Sequence, residues 1–127
     1  MHRCRRLDED IERESIESLV ARYTEAAISH GEALEPGDHV KANRAAESIA
    51  TIYRELRRRG ADAQQHLLAL LDHADASVRG WAGAHALEFA PGDGERALAQ
   101  LCSSGGVVAF NAKMTLAEWR KGRLRFP

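Results

Sequence analysis

His85 and Glu88 form an HxxE pair one helical turn apart, so their side chains share a helix face. A zinc hydrolase would need a second histidine at a coordinating step, and Phe89 stands where one variant of that motif would place it. His73, in the "HAD" ending at Asp75, could hold a metal only with ligands brought from elsewhere in the chain. Cys4 and Cys102 lie far apart with no second pair, which supports neither a zinc pattern nor a disulfide framework; both read as reduced thiols without a role. No GxxxxGK[ST] run and no strand-borne GxGxxG offers a phosphate cradle, and no GxSxG elbow presents a serine nucleophile. His30 and His85 fall on apolar stripes, where an imidazole is more often a hydrogen-bonded core residue than a base. These residues predict no catalytic centre, no metal and no cofactor.

The elements that carry them are read from periodicity. Ile16, Leu19, Val20, Tyr23, Ala26 and Ala27 recur at three- and four-residue steps, which predicts a helix from near Asp8 to Gly31. "HGEALEPGD", residues 30–38, is a connection with two glycines and a proline. A second stripe, Ala42, Ala45, Ala46, Ile49, Tyr53 and Leu56, is closed by Gly60, and Asn43 in its first turn is expected to cap or to make a buried polar contact across the hairpin. Shorter pieces follow: a helix from Ala63 to Leu71, a turn at "DHAD" whose Asp75 caps the next helix, and that helix from about Ala76 to Ala90. The latter is apolar nearly all round, which predicts neighbours on more than one face. Asp93 and Glu95 open a further helix that ends at "SSGG", and a last one from about Val107 to Arg120 carries Phe110, Ala112, Leu116 and Trp119. No segment alternates at period two, so the fold class is all-α with about six helices.

"LLALLDHADASVRGWAGAHAL" set beside "ALAQLCSSGGVVAFNAKMTL" reveals a repeat of about thirty residues. Leu68 matches Leu98, Leu71 matches Leu101, Val78 matches Val107, Trp81 matches Phe110 and Leu87 matches Leu116. The first of these resembles a HEAT repeat: leucines, an aspartate-bearing turn, then a valine-arginine pair opening a helix rich in small residues. Asp72, Asp75 and Arg79 are read as structural turn residues, with Arg79 in reach of either carboxylate. Asn43-Arg44, "ELRRRG" at 55–60, "LLALLDHADASVR", Ala90-Pro91 and the late "AL…LC" are similar to a bacterial family of small HEAT-like proteins classified as a domain of unknown function. That resemblance implies an α-α superhelix of the HEAT/armadillo kind in three stacked antiparallel hairpins, and brings no functional residues. The chain is then one domain, 1–127: a capping helix pair at 8–60, a HEAT-like hairpin at 61–91, a degenerate hairpin at 92–122 and a tail at 123–127.

The 127 residues suffice for one modest core, and 44% hydrophobic with 29% charged residues is the balance of a soluble globular protein. No run of about eighteen apolar residues predicts a membrane span, so a cytoplasmic protein is expected. The net charge of −1 hides an acidic stretch from Leu7 to Glu35 and basic runs at 54–59 and 120–125. Arg57, Arg58 and Arg59 suit the C-terminal dipole of their helix without a ligand. Some HEAT-like proteins are DNA glycosylases whose aromatic and acidic residues face a basic groove, a scheme into which Trp81 and Asp72 or Asp75 could be fitted. The near-neutral charge disfavours nucleic acid, and packing accounts for Trp81 and Trp119. The leading expectation is a non-catalytic module that docks a protein or peptide partner, such as an immunity or antitoxin-like protein. Its concave face would be lined by the second helix of each hairpin, through Arg44, Glu47, Arg54, Lys113 and Arg120. A base-processing enzyme and a self-associating homo-oligomeric subunit are the alternatives.

Overall fold

The computed structural model describes residues 11–127, and they are all-helical. Helix α1 (Ile16–Leu34) begins where the Ser15 hydroxyl accepts the Ser18 amide, 3.1 Å away, and so relieves one orphan donor of the first turn. The expected start near Asp8 and the thiol of Cys4 lie outside the described residues. Leu19, Tyr23 and Ala27 recur at four-residue steps and form the buried face of α1. Gly37, at φ 73°, turns the chain into α2 (His39–Arg59), capped by the Asp38 carboxylate on the Lys41 amide. Gly60 ends α2 at φ 111°, a left-handed conformation that glycine adopts without steric cost. Asn43 is exposed on α2, so the buried polar contact expected of it is not made.

The third leucine-rich piece is not one α-helix. It is a short α3 (Ala61–Gln65) that tightens into a 3-10 segment, His66–Asp72. Its buried residues, Leu67 and Leu70, are three apart, the spacing that brings side chains into line at three residues per turn. The Asp75 carboxylate caps α4 (Ala76–Phe89) by accepting the Ser77 and Val78 amides at 2.8 and 3.2 Å, as the sequence led one to expect. Arg79 does tie this turn to the helix, but through the carbonyls of His73 and Ala74, at 2.6 and 3.0 Å, rather than through Asp72 or Asp75. Those carbonyls stand at the end of the 3-10 segment, where acceptors are left without helical partners.

Pro91 opens α5 (Pro91–Leu101), a position where its missing N–H costs nothing, and α6 (Gly106–Arg120) follows. Helix α4 packs on α1 and the 3-10 segment on one side and on α5 and α6 on the other. Its all-round apolar character follows from that placement. Gly94 sits against α4 so closely that a Cβ there would lie 2.7 Å from the Gly83 carbonyl and 2.8 Å from the Leu87 amide. Two cores result: one of Leu19, Tyr23, Ile49, Tyr53, Leu56, Leu67 and Val78 with their neighbours, the other of Leu87, Leu98, Leu101, Ala112 and Leu116. Among the described residues, no helix is long and apolar enough to cross a membrane.

The positions matched in the repeat alignment differ in burial. Leu87 and Leu116 are both buried, whereas Val78 is fully buried and its counterpart Val107 is 50% exposed. Trp81 packs against the first core while Phe110, its match, is 62% exposed. Helix α4 packs against α1, the 3-10 segment, α5 and α6, whereas among the described elements α6 packs mainly on α4 and α5, so the same pattern serves burial in one and display in the other.

Candidate functional site

Two places gather side chains with chemical potential. The first is a buried polar centre where α1, α2 and α4 meet. Tyr23 from α1 and Tyr53 from α2 are fully buried, and both reach His85 of α4. The Tyr23 hydroxyl lies 2.6 Å from His85 Nδ1, and the Tyr53 ring stacks on the imidazole at 4.0 Å between centroids and 9° between planes. Tyr53 donates its hydroxyl to Glu88 Oε1 at 2.5 Å and accepts from Gln64 Nε2 at 3.1 Å. Arg57 completes the edge with two 3.2 Å bonds to the Glu88 carboxylate and a contact with the Pro127 carbonyl.

Burial sets the protonation of this centre. His85 is pushed down to about 3, first by desolvation and then by the Arg57 charge, so its imidazole is neutral near pH 7. Desolvation, and then the nearby Tyr53, raises Tyr23 well above the usual phenol range; Tyr53 is raised by desolvation and by its bond to Glu88. A neutral imidazole and neutral phenols that bond to one another and to their neighbours hold a core together and are poor proton donors or bases at neutral pH. The expectation that His85 is a hydrogen-bonded core residue is met, and Glu88 is its neighbour through Tyr53 rather than a fellow metal ligand. Among the described residues, no cluster of histidine, cysteine, aspartate and glutamate could hold a metal ion.

The second place is a half-open groove of about 330 Å³ between α1, α4 and α6. Gly80 and Ala84 of α4 and Ala112 of α6 lie along it with Trp81, Leu34 and Met114. His30 stands at its α1 side, edge-on to Trp81 with ring centroids 5.0 Å apart and an interplanar angle of 89°. Desolvation lowers the His30 pKa, so this ring too is neutral near pH 7. Among the described residues, no aspartate, glutamate, lysine or arginine lines the groove. Beside it, on the outward side of α6, Val107, Phe110 and Met114 are 50%, 62% and 49% exposed. Their spacing places them in one stripe along the helix.

The structure exposes the surface residues predicted from sequence on two helices: Arg44, Glu47 and Arg54 on α2, and Lys113 and Arg120 on α6. Arg120 is paired with Glu95 at 3.0 Å. The basic run of α2 is likewise engaged: Arg58 and Arg59 both bind the buried Glu55 carboxylate at 2.7 Å, and Arg57 binds Glu88. These arginines hold Glu55 below the usual carboxylate range, with the Arg58 bond the largest cause. Sequence reading missed Ser77, Asn111 and Met114 as groove residues; Asn111, a lone carboxamide within "VVAFNAKMTL", was the available signal.

The family described as Domain of unknown function (DUF2019) matches residues 17–119, from the first turn of α1 to the last turn of α6. The chain belongs to this family. Every residue of the groove, and the Tyr23, Tyr53 and His85 rings, lie inside the DUF2019 span. The chain is also similar to the crystal structure of the protein RPA1889 from Rhodopseudomonas palustris CGA009, with 25% identity and a TM-score of 0.85 over 92% of this chain and 98% of that one. No curated protein matches the chain.

Proposed function

We propose that this DUF2019 chain is a non-catalytic, HEAT-like helical-repeat module that docks a protein or peptide partner through the outward face of α6. The observation that carries the reading is the exposed stripe of Val107, Phe110 and Met114. Side chains at i, i+3 and i+7 are the anchors by which one helix lies against another apolar surface. Aromatic and methionine residues are the types enriched where partners meet. The HEAT-like reading draws support from α4, which stacks between the preceding helix pair and the one that follows. A cytoplasmic immunity or antitoxin-like protein is the specific form of this proposal, since a compact helical domain whose buried histidine and tyrosines are held neutral suits blocking a partner rather than chemistry. The pairing of Arg57, Arg58, Arg59 and Arg120 with carboxylates speaks against a continuous positive surface for nucleic acid.

The test is affinity capture of the tagged protein from its host lysate, run beside Phe110→Asp with Met114→Asp and beside Arg44→Glu with Arg54→Glu. A stoichiometric partner that survives the α2 changes and is lost with the α6 changes is the expected outcome. Loss with the α2 pair instead, or identical proteins in all lanes, would overturn the docking face.

A further inference from the structure

The groove between α1, α4 and α6 differs from the stripe beside it: it is concave and carries polar groups open to solvent. The Thr115 hydroxyl donates to the Asn111 carbonyl at 2.8 Å, which leaves the His30 ring, the Ser77 hydroxyl and the Asn111 carboxamide without a protein hydrogen bond among the described residues. Polar groups around a cavity of this size are satisfied by water or by a ligand. We propose that the groove is a binding site for a small, uncharged, planar aromatic or heteroaromatic molecule that carries a hydrogen-bonding edge.

Each element of that description comes from the lining. The volume of about 330 Å³ sits at the small end of the range of ligand pockets, which fits one or two rings. An ion entering would lose hydration and meet no countercharge among the described residues, none of whose charged side chains lines the groove. Trp81 offers an aromatic flank, and Gly80, Ala84 and Ala112 leave a floor without side-chain bulk on which a flat ring can rest. Neutral imidazole, hydroxyl and carboxamide each donate and accept, so together they match a ring bearing both kinds of group on one edge. The site is separate in its chemistry from the α6 stripe, and Met114 alone belongs to both.

The experiment is a titration of the isotope-labelled full chain, followed by amide chemical shifts, with nicotinamide and indole as neutral probes and nicotinate and tryptamine as charged counterparts. Saturable shifts at Gly80, Ala84, Asn111 and Thr115 with the neutral probes, at least tenfold weaker with the charged ones, are the expected result. Ala84→Leu, which fills the floor, should weaken the neutral probes at least tenfold, and Asn111→Ala should weaken nicotinamide severalfold. Asn111 is exposed and its side chain supports no contact of the fold, so that variant carries the test if Ala84→Leu does not fold. Absence of saturable shifts, equal binding of the charged probes, or retained binding in Asn111→Ala would overturn the proposal.

Discussion

Around α1, α2 and α4 the chain buries two tyrosines and a histidine in a hydrogen-bond network, whereas α6 contributes two alanines and a leucine to the core and leaves a phenylalanine in solvent. The contrast follows from side-chain size. Large rings bring more apolar area out of water, and each carries a polar atom that must find a partner inside. Alanines at 109 and 112 let α6 approach closely but bury little, while Val107, Phe110 and Met114 are left for the outward face. One end of the molecule is built to be closed, and the other keeps apolar surface available.

The comparison is broken most severely at Tyr53. Truncation by Tyr53→Ala removes the stacking partner of His85 and strands Gln64 and Glu88, and a large aromatic lost from a core costs about 3–5 kcal/mol. Urea denaturation should show a loss in that range; a loss below about 1 kcal/mol would mean that the ring cluster is not what holds this half together.

Acid should act on the same half. Unfolded His85 takes up a proton near 6.5, while the folded ring does so only at about 3, so the unfolded state binds more protons between these values. The stabilising contribution is full above about pH 6.5 and is lost as pH falls towards 3, by an amount on the order of a few kcal/mol. His30, lowered in the same direction, adds to it. Stability measured from pH 7 to pH 4 should fall steeply in the wild type and less steeply in His85→Gln; parallel slopes would remove His85 as the cause.

A smaller effect is expected at the joint between the two halves. Gly94→Ala would set a methyl group against the α4 backbone, and such overpacking costs about 1–3 kcal/mol. The adjacent Gly92 has nothing within 4 Å of its missing Cβ, so Gly92→Ala in the same helix should cost clearly less when both are melted under one set of conditions.

Much of the closed half was legible in the sequence, because Leu19, Tyr23, Ile49 and Leu56 fall on regular stripes and a cap such as Asp75 is a local signal. Contacts between elements were not: Tyr23 and His85 are 62 residues apart, and nothing in periodicity pairs them. The dipole reading of Arg57 to Arg59 was adequate locally and silent about Glu55 and Glu88 as their partners. The open half misled the repeat alignment. Residue type alone made Phe110 the equivalent of Trp81, yet one ring packs against the first core while the other faces out. The groove was half visible, in His30 and Trp81, and its remaining polar residues needed the crossing of three helices to bring them together.

The most direct measurement is chemical denaturation of Phe110→Ala beside Tyr53→Ala, at two protein concentrations. The account predicts that Phe110→Ala changes stability by less than about 0.5 kcal/mol at both concentrations, as expected for a side chain left 62% exposed. A loss of about 2 kcal/mol or more would contradict it, and would show that Phe110 is already buried, by its own fold if the loss is the same at both concentrations and by a second copy if it grows with concentration.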